Sequence, residues 1–254
     1  MNWESLRAAK QAEIRQLATV QLSEVTPSIR SFAQSVTTHK QDLAVIAALK
    51  RTDPQTGRSW AGCDLVSLAQ ECDDAEVGAV AVYTEPSVFG SSMDDLRAIA
   101  AAVSAPALRL DLVLHPHQIH HARLCGADAV LLCAGAVDAP TLADLVTVAS
   151  SAHVAPVVAV QTQTELEQAL AAGAFILGIA SPSGVLDLAH IDALAALVPP
   201  QKTVIALDEI RTPEEYAALQ GKVDAVIVSN LLLDAADVGA ALEDLTRGEK
   251  AKNL

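Results

Sequence analysis

Short apolar runs return along this chain at regular intervals, and each is followed by a stretch with helical periodicity. The runs occupy residues 43–49, 79–83, 107–112, 129–133, 157–160, 175–179, 203–207 and 225–228. The helical stretches cover residues 64–76, 93–103, 116–125, 141–151, 164–172, 188–197, 213–219 and 235–245. Runs rich in Val, Ile, Leu and Ala suit strands buried on both faces. A strand-then-helix unit repeated eight times, with right-handed crossovers, predicts a (β/α)8 barrel. Helix-start signals agree with the phasing. Asp64 precedes Leu65, Thr162 and Glu165 have capping-box spacing, and Thr212-Pro213 leads into acidic residues.

The length of 254 residues fits a single α/β barrel. The expected division is an N-terminal helical extension, residues 1–42, and the barrel itself, residues 43–245. The composition is 51% hydrophobic but only 3% aromatic, which suits Ala-rich helices around parallel strands. The formal net charge of −14 argues against nucleic acid and against anionic membrane surfaces as partners. No apolar run reaches membrane-spanning length, and the amphipathic opening segment, residues 3–19, lacks the apolar centre of a signal peptide. A soluble, cytoplasmic protein is expected. Cys63, Cys72, Cys125 and Cys133 have no CxxC spacing and read as reduced, mostly buried thiols.

One segment carries more than a fold. Residues 106–133, PALRLDLVLHPHQIHHARLCGADAVLLC, align without a gap to the pattern P-V-L-R-K-D-F-I-x-D-P-Y-Q-I-Y-E-A-R-x-x-G-A-D-A-V-L-L-I. Leu108, Arg109, Asp111, Pro116, Gln118, Ile119, Ala122, Arg123, Gly126, Ala127 and Asp128 all match. Further matches are VIAALKRTDPQTG to V-I-A-E-x-K-R-x-S-P-S-x-G, Phe89-Gly90 to an F-x-G loop, and VDAVIVSNLL to A-D-A-V-L-V-G-E-S-L. The chain thus resembles the indole-3-glycerol-phosphate synthase family over residues 43–245. The resemblance implies the same barrel, with an extra N-terminal helical region over the mouth. It also implies a reaction that closes an indole ring on a carboxyphenylamino-deoxyribulose phosphate, with loss of carbon dioxide and water.

That reaction needs a general acid, a carboxylate for developing positive charge, and a phosphate clamp. The resemblance places these at the C-terminal ends of the strands, where this chain departs from the pattern. The glutamate of E-x-K is Ala48, while its lysine survives as Lys50. The catalytic lysine after strand 3 is Leu110, and the glutamate after strand 5 is Ala159. I-N-N-R after strand 6 becomes Ile179-Ala180-Ser181-Pro182. Asp208 and Glu209 replace residues of the clamp after strand 7, Ser229 replaces a glycine after strand 8, and Asp53 replaces the serine of the first loop.

Lys50 is the one retained catalytic candidate, as a relic or as the partner of a new carboxylate such as Asp53. Phe89, Asp53, Asp208 and Glu209 are the candidate substrate-binding residues. Phe89 either caps a substrate ring or simply packs. Arg109 and Asp111 read as a structural ion pair, and Asp208 and Glu209 as solvated loop charges in preference to new catalytic acids. His115, His117, His120 and His121 crowd one helix start. His117 and His121 have metal-ligand spacing, but a surface histidine patch is the favoured reading, and no metal or cofactor is expected. The expected function is a family homologue without ring-closing activity that works by binding, regulation or assembly. A protein partner or a small-molecule ligand would then occupy the barrel mouth. The alternatives are an enzyme acting on a less anionic or metal-assisted substrate, and a weak synthase.

Overall fold

A computed structural model describes residues 3–17, 26–38, 40 and 42–247. Eight strands run β1 Ala44–Leu49, β2 Ala79–Tyr83, β3 Ala107–Leu110, β4 Ala129–Cys133, β5 Ala155–Val160, β6 Ile176–Ile179, β7 Thr203–Glu209 and β8 Ala225–Val228. They form a closed barrel in sequence order, every pair parallel, with β1 returning to β8. Twelve α-helices are described: α1 Trp3–Leu17, α2 Phe32–Val36, α3 Leu65–Asp74, α4 Pro86–Phe89, α5 Met93–Ala102, α6 Pro116–Leu124, α7 Ala139–Ser151, α8 Gln163–Ala171, α9 Leu188–Ala195, α10 Pro213–Leu219, α11 Asn230–Asp234 and α12 Val238–Arg247. The predicted (β/α)8 architecture is therefore present. The last expected helix, 235–245, is observed as α12 at Val238–Arg247, and α2, α4 and α11 were not foreseen.

Local chemistry explains the phasing. Asp64 accepts the N–H groups of Val66 and Ser67 and starts α3. Thr212 and Glu215 form a complete capping box ahead of α10, with Pro213 in its first turn. The box expected at Thr162 is only half built, because Glu165 turns its carboxylate to the N–H of Gln161. Asp128 and Asp224 do equivalent work in the two D-A-V repeats. Each precedes a strand and accepts an N–H near the start of the strand before it, from Ala107 at 2.8 Å and from Val204 at 2.9 Å.

Strand alternation divides the core in two. Val45, Ala47, Val80, Val82, Val130 and Leu132 face the helices. Ile46, Ala48, Ala79, Ala81, Leu108, Leu110, Val157, Ile176, Ile205 and Ile227 fill the barrel. Phe32 and Val36 of α2 belong to the inner cluster, so α2 closes the barrel at the end away from the strand C-termini.

The N-terminal extension thus serves both ends. Its first helix, expected over residues 3–19, is observed to Leu17; residues 18 and 19 lie outside the described residues. That helix reaches the strand C-termini, where Arg7 donates to Ala136 O at 3.0 Å and Lys10 meets Asp111 beyond β3. No described helix is long and apolar enough to cross a membrane. All four cysteines are free; Cys72 and Cys125 are buried, Cys63 and Cys133 half-buried.

Candidate active site at the barrel mouth

The inward-facing positions at the strand C-termini can be read in turn. From β1, Ala48 lies in the inner cluster and Lys50 follows it two residues on. From β2 comes Tyr83, and from β3 Leu110, only 4% exposed and packed in the same cluster. Ala159, near the end of β5, and Ala180, directly after β6, are half-buried. Leu207 of β7 leans across Gly178 of β6. A Cβ on that glycine would lie 2.6 Å from Leu207 Cδ1.

Lys50, Asp53, Phe89 and Glu209 are brought together here. Lys50 Nζ lies 3.7 Å from Asp53 Oδ2 and 5.6 Å from the centre of the Tyr83 ring. Asp53 Oδ2 accepts from Asn230 Nδ2 at 2.7 Å, and Asp53 Oδ1 accepts the Gln55 N–H at 2.9 Å. Glu209 accepts the N–H of Asn230 and faces Arg211 at 3.4 Å. Phe89 stacks on Tyr83 at 4.3 Å between ring centres. Its carbonyl accepts the N–H groups of Arg51 at 2.9 Å and Thr52 at 2.8 Å, fastening the first loop to α4. Phe89 is thus packed on a neighbouring ring.

Burial lowers the Lys50 pKa, against the opposing pull of Glu209 and Asp53. Burial also raises the Asp53 carboxyl. The hydrogen bonds from Asn230 and Gln55 and the charge of Lys50 outweigh that, holding it at about 2.

Two sequence expectations need correction. Asp208 is not a solvated loop charge. It is only 6% exposed and accepts both the N–H and the hydroxyl of Ser181, whose Oγ in turn accepts the Asp187 N–H. It holds the loop after β6 in place, because burying a carboxylate demands donors, and burial leaves its pKa raised despite those bonds. Glu209 is likewise part-buried and engaged, with its side chain 13% exposed.

The expected Arg109–Asp111 pair is present at 2.6 Å, but it belongs to a larger buried network. Lys10 Nζ sits 2.7 Å from Asp111, 2.7 Å from Glu85 and 3.1 Å from Glu13, and Arg109 also meets Glu13 at 2.8 Å. Arg109 and Asp111 alternate with inward Leu108 and Leu110, so this network lies outside the barrel wall, under α1.

His115 caps α6, its Nδ1 accepting the His117 N–H at 3.2 Å, and the two rings pack edge to face. Among the described residues, no group of three or more His, Cys, Asp and Glu side chains is placed to hold a metal.

Sequence reasoning missed Tyr83, Asn230, Lys10, Arg58 and Arg211. Alternation from Ala79 and Ala81 points to Tyr83. The others come from loops and from α1, where no local periodicity signals a long-range partner. Arg58, Arg211, Thr56, Asn230, Leu231 and Asp234 line a side pocket of about 270 Å³ beside the ends of β7 and β8. Both guanidiniums there are already paired, Arg58 with Asp234 at 2.6 Å and Arg211 with Glu209.

The sequence profile described as "Indole-3-glycerol phosphate synthase" matches residues 3–245. A protein of that name from Mycobacterium leprae (strain Br4923) is 36% identical over 207 residues, covering 80% of this chain and 76% of its own. Its namesake from Mycolicibacterium smegmatis is 35% identical with the same coverage. Among solved structures, a 3-hexulose-6-phosphate synthase superposes with a TM-score of 0.63 at 16% identity. It covers 80% of this chain and 98% of that one, a likeness of fold alone.

Proposed function

This chain belongs to the indole-3-glycerol phosphate synthase family, and from that premise we propose that it has given up ring closure and keeps the barrel mouth as a binding site. The observation that carries this reading is the set Ala48, Leu110, Ala159 and Ala180 at the C-terminal strand ends. The family pattern puts a carboxylate, a lysine, a second carboxylate and an amide at these positions. An alanine or leucine can neither move a proton nor offset a charge. General acid–base groups contribute roughly 10²–10⁴-fold each, so losing several leaves almost no turnover.

The surroundings support the same reading. Lys50 is retained, yet no lysine faces it from β3. Phe89 stacks on Tyr83, and Leu207 takes up space over Gly178. At the phosphate corner, Asp53, Glu209 and Asp234 engage Asn230, Arg211 and Arg58. A phosphate dianion would have to displace these carboxylates or sit beside them. The mouth therefore favours a ligand of low negative charge, or a protein partner that covers it.

The deciding experiment is a ring-closure assay of the purified chain on the carboxyphenylamino-deoxyribulose phosphate, followed by indole fluorescence. Product at background is expected. Turnover within about a hundredfold of the M. leprae relative, the span of a single general acid–base group, would overturn the reading.

A further inference from the structure

The side pocket beside the ends of β7 and β8 holds about 270 Å³. Sites for drug-sized ligands run to roughly 300–1,000 Å³, so an occupant here has few carbons. Asn230 lines the pocket and is itself only 7% exposed. Its Nδ2 donates to Asp53 at 2.7 Å, while its buried Oδ1 has no hydrogen-bond partner among the described residues. A buried acceptor without a donor is costly, so this atom calls for an N–H or O–H group. Arg58 turns Nη1 and Nη2 to Asp234, and Arg211 reaches Glu209 through Nη2 at 3.4 Å. A guanidinium has five N–H donors, so both keep some to spare. Asp234 Oδ1 also accepts Trp60 Nε1 at 3.0 Å, and Arg58 lies 5.1 Å from the centre of the Trp60 ring. That wall is held in place before any ligand arrives.

We propose that this pocket binds a small uncharged polyol with hydroxyls on adjacent carbons. The inference rests on the reading of the mouth as a ligand site turned away from anions, and it names the ligand class. Three features carry it. The pocket offers both an unmatched acceptor, Asn230 Oδ1, and spare donors on Arg58 and Arg211, and a hydroxyl is the small group that donates and accepts at once. Both cations already have a carboxylate, Asp234 and Glu209, so neither an anion nor an ammonium finds a bare counter-charge. A guanidinium presents its donors in a planar fork, which spans two neighbouring hydroxyls.

In the complex one hydroxyl donates to Asn230 Oδ1 and its neighbour accepts from a guanidinium. Half-buried Leu231 supplies apolar surface for the carbon chain. No bond of the ligand is made or broken. Selectivity follows from the same groups. A ligand that lacks the hydroxyls covers Asn230 Oδ1 and the spare N–H groups without pairing them, and a site built to hydrogen-bond rejects such an analogue.

The test is a titration of the full chain with erythritol, read by the fluorescence of Trp60, whose indole is tied to Asp234 of the pocket. Trp3→Phe leaves Trp60 as the one tryptophan. The expected result is a saturable change with a Kd on the order of 1 mM. It is absent with 1,4-butanediol, which keeps the chain length and loses the adjacent hydroxyls, and inorganic phosphate does not compete. Asn230→Ala removes the unmatched acceptor and Leu231→Phe fills the pocket, and each should weaken erythritol by about tenfold or more. Equal binding of butanediol, competition by phosphate, or unaltered binding in Leu231→Phe would overturn the proposal. So would no saturable response at all, with water alone serving Asn230. If a variant fails to fold by circular dichroism, the other variant and the ligand series on the native chain decide. Ring-closure turnover would remove the proposed function, whereas silence toward erythritol with no turnover would remove only this inference.

Discussion

Lys10 of the N-terminal helix places its ammonium 2.7 Å from Asp111, the residue directly after Leu110. The two lie 101 positions apart in sequence, and the contact fixes α1 over the ends of β2 and β3. Removing one partner of a buried pair leaves an uncompensated charge, which costs about 3–5 kcal/mol. Here Glu85, Glu13 and Asp111 would all lose their shared cation. Lys10→Met is expected to lower unfolding stability in urea by about 3 kcal/mol and to speed proteolysis of α1. Adding Asp111→Asn should recover part of the loss. An unchanged urea midpoint in Lys10→Met would show that the network does not anchor the helix.

Leu110 is packed in the same inner cluster as Ala48 and Ala81 and lies opposite Tyr83 of β2. Writing a lysine back at 110 alone places an amine in an apolar layer with no carboxylate to tune or aim it. Leu110→Lys is expected to give no ring closure. Ala48→Glu, Leu110→Lys, Ala159→Glu and Ala180→Asn together are expected to give traces, because the phosphate corner stays acidic. Adding Asp53→Ser and Glu209→Gly should then raise activity mainly through KM. These steps are non-additive, as for groups that act as a unit. Robust turnover from the single Leu110→Lys change would mean that the mouth is nearly intact.

The barrel was legible in the sequence because each unit announces itself locally. Residues 79–83, 129–133 and 225–228 were placed to the residue, and Asp64 and Thr212 cap helices as their spacing implies. Strand β3 stops at Leu110, short of the expected 112, because the Asp111 carboxylate is drawn into the network under α1. The mouth was legible only in part. Inward Ala48 and Leu110 follow from alternation and the resemblance. The engagement of Asp208 by Ser181, of Asp53 by Asn230 and of Arg58 by Asp234 joins loops distant in sequence, and no local pattern encodes such pairings.

Gly178 and Leu207 give a direct measure of how full the mouth is. A methyl group at 178 meets the far end of the Leu207 side chain at 2.6 Å, so that side chain must move. Gly178→Ala is expected to cost about 1–2 kcal/mol from overpacking. In Leu207→Ala the same change should cost little, giving a coupling of about 1 kcal/mol in a double-mutant cycle. Additive effects would place Leu207 elsewhere.

Asp53 sets a pH dependence whose direction follows from its pKa of about 2, below the ordinary 3.8. A folded-state pKa below the unfolded one means that the carboxylate stabilises the fold fully above about pH 4. That contribution is lost as pH falls from there through 2. The shift corresponds to about 2 kcal/mol at neutral pH. Asp53→Asn should lower stability by up to about that amount at pH 7 and converge with the native chain near pH 2, measured by urea unfolding across the acid range. Parallel pH curves for the two proteins would refute the assignment.

The phosphate corner supplies the last test. Arg58 and Arg211 line the side pocket at the ends of β7 and β8, which taken alone would favour an anion. Each is already matched, Arg58 by Asp234 and Arg211 by Glu209, and Asp53 adds a further carboxylate next to Asn230. An incoming dianion must break those pairs and lie near the freed acids, a repulsion of about 4 kcal/mol per unit charge at 4 Å and an effective dielectric of 20. Inorganic phosphate or sulfate should therefore leave the melting temperature unchanged, and a crystal soaked in sulfate should show no ion between β7 and β8. Asp234→Asn, which frees Arg58, should create a measurable thermal shift with phosphate, reduced by added salt. A sulfate held there in the native chain by backbone N–H groups would show that the corner still clamps phosphate, and the reading of a mouth turned away from anions would fall.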